Sequence, residues 1–152
     1  MINEQENERQ LLRVIVCRPG ELAEVVEIED DLEAMQELVG GLIEVYDPFY
    51  SEADPRCENV ILVCNEEGKF MQLPPSRAIT DEDGHVMDVI AGPFFLCYST
   101  IDSENFESLP PDLEERFRKE YELPEQFFRT ENGIEVVKYD PCMTPKTYDR
   151  AR

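Results

Sequence analysis

Asn59-Val60-Ile61-Leu62-Val63-Cys64-Asn65-Glu66-Glu67-Gly68-Lys69-Phe70-Met71-Gln72-Leu73-Pro74-Pro75-Ser76-Arg77 is the stretch on which the fold turns. Val60 to Cys64 contains no polar residue, which predicts a strand buried on both faces and therefore set inside a sheet. Asn65 to Gly68 then carries turn chemistry, with Gly68 expected at a positive φ. Lys69 and Arg77 follow, separated by a short hydrophobic piece and the rigid Leu73-Pro74-Pro75. Two cations at the end of a core strand, in an otherwise acidic chain, mark the expected place for an anionic ligand.

Working outward toward the N-terminus, Leu42 to Tyr46 reads as a strand ended by Asp47-Pro48, and residues 50–58 as a surface loop. Before it, Leu32, Met35, Leu38 and Val39 recur at helical spacing, so one stripe is expected to be buried against the sheet. Asp30 or Asp31 is placed to cap that helix, and Gly40-Gly41 to stop it in a left-handed conformation. Leu11–Cys17 and Leu22–Ile28 flank Pro19-Gly20 as a hairpin.

On the other side, Ala78-Ile79 leads into a Thr80–Gly84 loop, and Val86–Ala91 is a strand that bends at Gly92-Pro93 and continues as Phe94–Tyr98. Ser108 is expected to cap a helix whose first turn tolerates Pro110 and Pro111 and whose buried stripe is Leu113, Phe117 and Tyr121. Pro124 is read as restarting a short helical turn with Phe127 and Phe128. Asn132-Gly133 then turns into a last strand, Ile134–Tyr139. Strands outnumber helices and are twice interrupted by them. The class is α+β, a mixed, mostly antiparallel sheet with helices packed on one face. Residues 1–10 are expected to be a flexible N-terminus, 11–140 a single domain and 141–152 a tail.

The charge balance narrows the function. Thirty-five acidic residues against 14 basic ones give a formal net charge of −21, which repels nucleic-acid phosphates and anionic membranes alike. Partners of three kinds remain: a basic protein surface, a cation, or a small ligand held in a locally positive pocket. No apolar run reaches the roughly 20 residues of a membrane span. The opening Asn3-Glu4-Gln5-Glu6-Asn7-Glu8 is not the basic-then-apolar start of a signal peptide. Five cysteines without a C-x-x-C pair, three of them (Cys17, Cys64, Cys97) in apolar runs, fit a reducing cytoplasm.

Catalytic constellations are sparse. His85 is the single histidine and lies far in sequence from a Ser or Cys partner, and there is no G-x-S-x-G elbow. Asp81, Asp83, His85 and Asp88 offer metal-type ligands, yet the spacing matches only a fragment of an EF-hand loop, so a solvated acidic turn is expected. The Asn65-x-x-Gly68-Lys69 element is too short for a P-loop. The expectation is therefore no enzyme, no metal and no cofactor. Lys69 and Arg77 are the expected phosphate contacts. Asn65, Ser76 and Asp88 are placed to read ribose or base edges, and Tyr46, Phe49, Phe70 and Phe94 to stack a base. A second reading rests on Glu21, Glu24, Glu27, Glu29, Asp30, Asp31 and Glu33. This run holds no basic residue and could imitate a row of DNA phosphates for a basic DNA-binding enzyme.

Leu38-Val39-Gly40-Gly41-Leu42-Ile43-Glu44, Cys64-Asn65-Glu66-Glu67-Gly68-Lys69, Leu73-Pro74-Pro75-Ser76-Arg77 and Asp88-Val89-Ile90-Ala91-Gly92, in this order, resemble a domain of unknown function carried by phages and other mobile elements, sometimes inside large polyvalent proteins. The resemblance runs from about Leu12 to about Tyr98, with Pro124 to Tyr139 a looser extension. An Asn usually precedes the motif's Arg, where this chain has Ser76. The resemblance implies an accessory protein acting against host defence in the cytoplasm of an infected or element-carrying bacterium. Two styles fit: sequestration of a small nucleotide immune signal, of the cyclic-oligonucleotide or ADP-ribose type, by a non-enzymatic homodimer or higher homo-oligomer, and acidic mimicry of DNA.

Overall fold

The computed structural model describes residues 11–142 apart from residue 103. The flexible start expected at 1–10, and all but the first two residues of the tail expected at 141–152, lie outside the described residues. Five strands form an antiparallel sheet in the order β2-β1-β7-β4-β3, with β1 at Leu11–Cys17, β2 at Glu24–Glu29, β3 at Ile43–Tyr46, β4 at Val60–Asn65 and β7 at Phe94–Tyr98. The hairpin, the strand through Cys64 and the strand through Tyr98 thus share one sheet, as their apolar content predicts. Two further hairpins stand apart from it, β5 (Pro75–Thr80) with β6 (Val86–Ala91) and β8 (Glu125–Thr130) with β9 (Gly133–Lys138). Every ladder among the described residues is antiparallel. The class is α+β and mostly β.

The two α-helices, α1 at Leu32–Val39 and α2 at Pro111–Glu120, cover opposite faces of the main sheet rather than one. Met35 and Val39 of α1 pack with Leu12, Val14, Val16, Val63, Phe95 and Cys97. Leu113 and Phe117 of α2 pack with Ile15, Cys17, Leu62, Phe94 and Leu96. The reason lies in β4 and β7, whose side chains are apolar on both sides, so each face needs a cover. Each fully buried Leu, Ile or Phe contributes roughly 1.5–3 kcal/mol.

Local departures from expectation follow from competing partners. Asp31 caps α1, its Oδ1 accepting from Ala34 N at 2.7 Å, and Gly40 ends it at φ 81°. Leu32 stands 56% exposed because it falls off the buried stripe. Ser108 does not cap α2. Its Oγ accepts from Arg13 N at 2.9 Å, since β7 pairs only with Ile15–Cys17 and leaves that amide without a ladder partner. Residues 55–59 tighten into a 3₁₀ turn. Phe127 and Phe128 lie on β8 rather than on a helical turn, because Asn132-Gly133 returns a complementary strand against them. Among the described residues no helix is long and apolar enough to cross a membrane.

Candidate functional site

Asn65 closes β4 and is buried. Its Nδ2 donates to Val39 O at 3.1 Å, satisfying a carbonyl at the end of α1, and its Oδ1 accepts from Glu67 N at 2.8 Å. Gly41 lies against this amide; a Cβ there would stand 3.0 Å from Asn65 Nδ2. Gly68 is glycine for closeness and not for a left-handed φ, since an added Cβ would meet Ala91 O at 2.6 Å. The positive φ in this turn belongs to Gln72, at 61°. Gly92 N donates to Pro74 O at 2.7 Å. The four sequence motifs therefore pack on one another as a single unit.

That unit encloses one side of a cavity of about 600 Å³ between β3, the β4–β5 turn and β6. Lys69 Nζ donates to Asp88 Oδ1 at 2.6 Å, and Tyr46 OH lies 3.4 Å from Asp88 Oδ2 as donor. Burial, and next the Asp88 charge, pushes the Tyr46 phenol up, so it stays a donor at physiological pH. Burial first, then Glu44 and Asp88, pushes the Cys64 thiol up to about 11, which keeps it protonated and poorly nucleophilic. Phe70 stands at the mouth, 85% exposed. The lining also holds Glu44, Glu66 and Glu67. Glu44 shares a face with Tyr46 through the two-residue period of β3, a signal the sequence carries.

Tyr46, Asn65, Lys69 and Asp88 are thus brought together, whereas Ser76, Arg77 and Phe94 are not. Ser76 Oγ donates to Cys17 O at 3.0 Å. Phe94 is fully buried under α2. Arg77 is also fully buried, donating to Tyr121 O at 2.9 Å, Glu21 O at 2.7 Å, and Arg18 O and Ser76 O at 3.2 Å each. Burial lowers its proton affinity, although a guanidinium remains charged. The expected Lys69–Arg77 phosphate clamp is therefore corrected: β5 starts at Pro75 and carries Arg77 into the core, where carbonyls replace a ligand. Of the metal-type group, Asp81, Asp83 and His85 gather within 4.8 Å, while Asp88 pairs with Lys69. Asp81 Oδ1 accepts from Asp83 N and His85 N, both at 2.9 Å, as in a self-contained acidic turn.

No curated protein and no solved structure matches the chain. Residues 12–122, which run from β1 to just past α2 and contain all four motifs, match the family described as Domain of unknown function (DUF3846), and the chain belongs to that family.

Proposed function

We propose that this is a non-enzymatic binding protein that sequesters a small nucleotide immune signal, serving a phage or mobile element against host defence. The observation that carries this reading is the convergence of the Lys69–Asp88 pair, the Tyr46 hydroxyl and the exposed Phe70 on one cavity of about 600 Å³, within the size range of small-ligand sites. Phe70 offers a face for a base. Asp88 and Glu44 suit ribose hydroxyls and base N–H donors, and Lys69 suits one phosphate. With Arg77 withdrawn, base and ribose recognition outweighs phosphate recognition. This favours ADP-ribose-type ligands over cyclic oligonucleotides with several phosphates. A protonated Cys64 and an ion-paired Lys69 support capture without chemistry. A homodimer fits the same reading: β3 is an edge strand beside the cavity, so a second copy can pair with it and close the mouth.

Calorimetry and thermal shift against a panel of ADP-ribose derivatives and cyclic di- and trinucleotides test the proposal. One ligand is expected to bind stoichiometrically and raise the melting temperature by mass action. Lys69→Ala and Tyr46→Phe are expected to weaken it about tenfold each, the loss of roughly one charged or buried hydrogen bond. Absence of a shift with every ligand overturns the reading.

The DNA-mimic alternative has its own support. Between Pro19 and Gly68 the single basic residue is Arg56, and it is held by Asp54 at 2.8 Å and Asp112 at 2.7 Å. Under that reading the target is a basic DNA-binding enzyme. Charge reversal at Glu24, Glu27 and Glu33 then abolishes inhibition, while Lys69→Ala leaves it intact.

A further inference from the structure

A second cavity, of about 410 Å³, lies between the chain at Pro48–Ser51, the β5–β6 turn and α2. Its wall is aromatic. Phe49 meets Phe117 edge-on at 5.0 Å between ring centroids and Tyr121 at 6.2 Å, while Phe117 and Tyr121 lie nearly parallel at 6.4 Å. Tyr50, 57% exposed, and Met87, 50% exposed, extend the apolar surface outward. The rim is acidic, from Asp81, Glu82, Asp83 and Glu120.

The one cation in this lining is already committed. Arg116 pairs with Asp54 at 3.3 Å, donates to Cys57 Sγ at 2.9 Å, and holds its guanidinium carbon 6.0 Å from the Phe117 ring centre. The wall thus already carries an internal cation on an aromatic face. Among the described residues no Lys or Arg lies within ion-pair reach of Glu82 or Asp83.

Aromatic rings below carboxylates discriminate among ligands. An anion is repelled by the rim. A hard metal ion gains nothing from rings and calls for an all-oxygen shell. A neutral apolar molecule gains nothing from the exposed carboxylates of the rim. An alkylammonium satisfies both halves, since its stem lies on the rings and its head meets the rim.

We propose that this second cavity binds a free organic cation of the di- or polyamine type, with its alkyl stem along Phe49 and Tyr50 and an ammonium at Glu82 and Asp83. The site shares no lining residue with the Lys69–Asp88 cavity. Calorimetry of the full chain with spermidine, in about 0.15 M salt and with magnesium in excess, tests it. The expected result is saturable one-to-one binding that survives magnesium, weakens about tenfold in Tyr50→Ala, weakens likewise in the Glu82→Gln/Asp83→Asn double variant, and is unchanged in Lys69→Ala. Tyr50 and the two acids are exposed, so melting temperatures near the parent's identify properly folded variants. Several weak equivalents erased by magnesium indicate diffuse counterion attraction and overturn the proposal, as does binding unaffected by these variants or the absence of binding. Preference for a lysine-containing peptide over spermidine overturns the assignment to a free amine.

Discussion

Arg77 brings a full charge into a site with no exposed surface, and backbone carbonyls from three places meet it: the β1–β2 turn, its own strand, and the end of α2 at Tyr121. Removing this donor leaves buried carbonyl acceptors unsatisfied, at about 1–3 kcal/mol for an acceptor that finds no other partner. Arg77→Ala is therefore expected to lower unfolding stability by at least about 2 kcal/mol, and Arg77→Lys by nearly as much, because one ammonium cannot reproduce a planar fork. Denaturant melts check this; a loss below about 1 kcal/mol, the worth of a surface group, contradicts it. Gly68→Ala is expected to be similarly harmful, since its Cβ would press on the backbone at Ala91 O, and to abolish ligand binding at the adjoining cavity. The cationic pair looked like one site because sequence spacing gives no depth. A hint was present: Ala78-Ile79 directly after Arg77 are apolar, as suits a strand entering the core. For Asn65 the motif was legible, but the side chain holds α1 to the turn as well as lining the cavity.

At the scale of elements, the β8–β9 hairpin joins the body through Glu125, whose Oε1 accepts from Ala78 N at 2.7 Å. Burial raises the proton affinity of this carboxyl above its ordinary value, although the Ala78 amide, Lys138 and Arg77 act against the rise. A raised folded-state value means that the native chain holds the proton longer than the unfolded one. The associated stability is present at low pH and is lost as pH rises from the ordinary glutamate value of 4.5 through the raised one. Glu125→Gln keeps the acceptor oxygen and removes the titration. Its stability minus the parent's is expected to increase steadily between about pH 4 and pH 7; a difference that stays constant or decreases over this range counts against the assignment. The hairpin's first strand was hard to read because Pro124 resembles a helix start, and the pairing that decides the matter comes from residues after Asn132-Gly133. The central strands were easy to read because continuous apolar runs have few other solutions. Their two-sided apolarity also implied a cover on each face, which places α1 and α2 on opposite sides.

For the molecule as a whole, most cations among the described residues are used up within it. Arg13, Arg18, Arg56, Lys69, Arg116, Arg118 and Lys119 each meet a carboxylate at 2.6–3.8 Å, while the net charge stays at −21. Exposed pairs of this kind are worth at most about 1 kcal/mol each, so long-range repulsion among the surplus carboxylates dominates the response to salt. The melting temperature is expected to rise by at least about 4 °C from 10 mM to 0.5 M salt; a flat or falling curve shows that the pairs outweigh the surplus. The same field separates the two functional readings. An anionic nucleotide approaching this chain is slowed by the field, so its association rate should increase as salt shortens the Debye length from about 30 Å to a few ångströms. A basic enzyme drawn to a DNA-like carboxylate face should associate more slowly under the same change. Stopped-flow rates over one salt series thus carry opposite signs for the two readings, and a rate that increases with salt is the outcome expected for nucleotide capture.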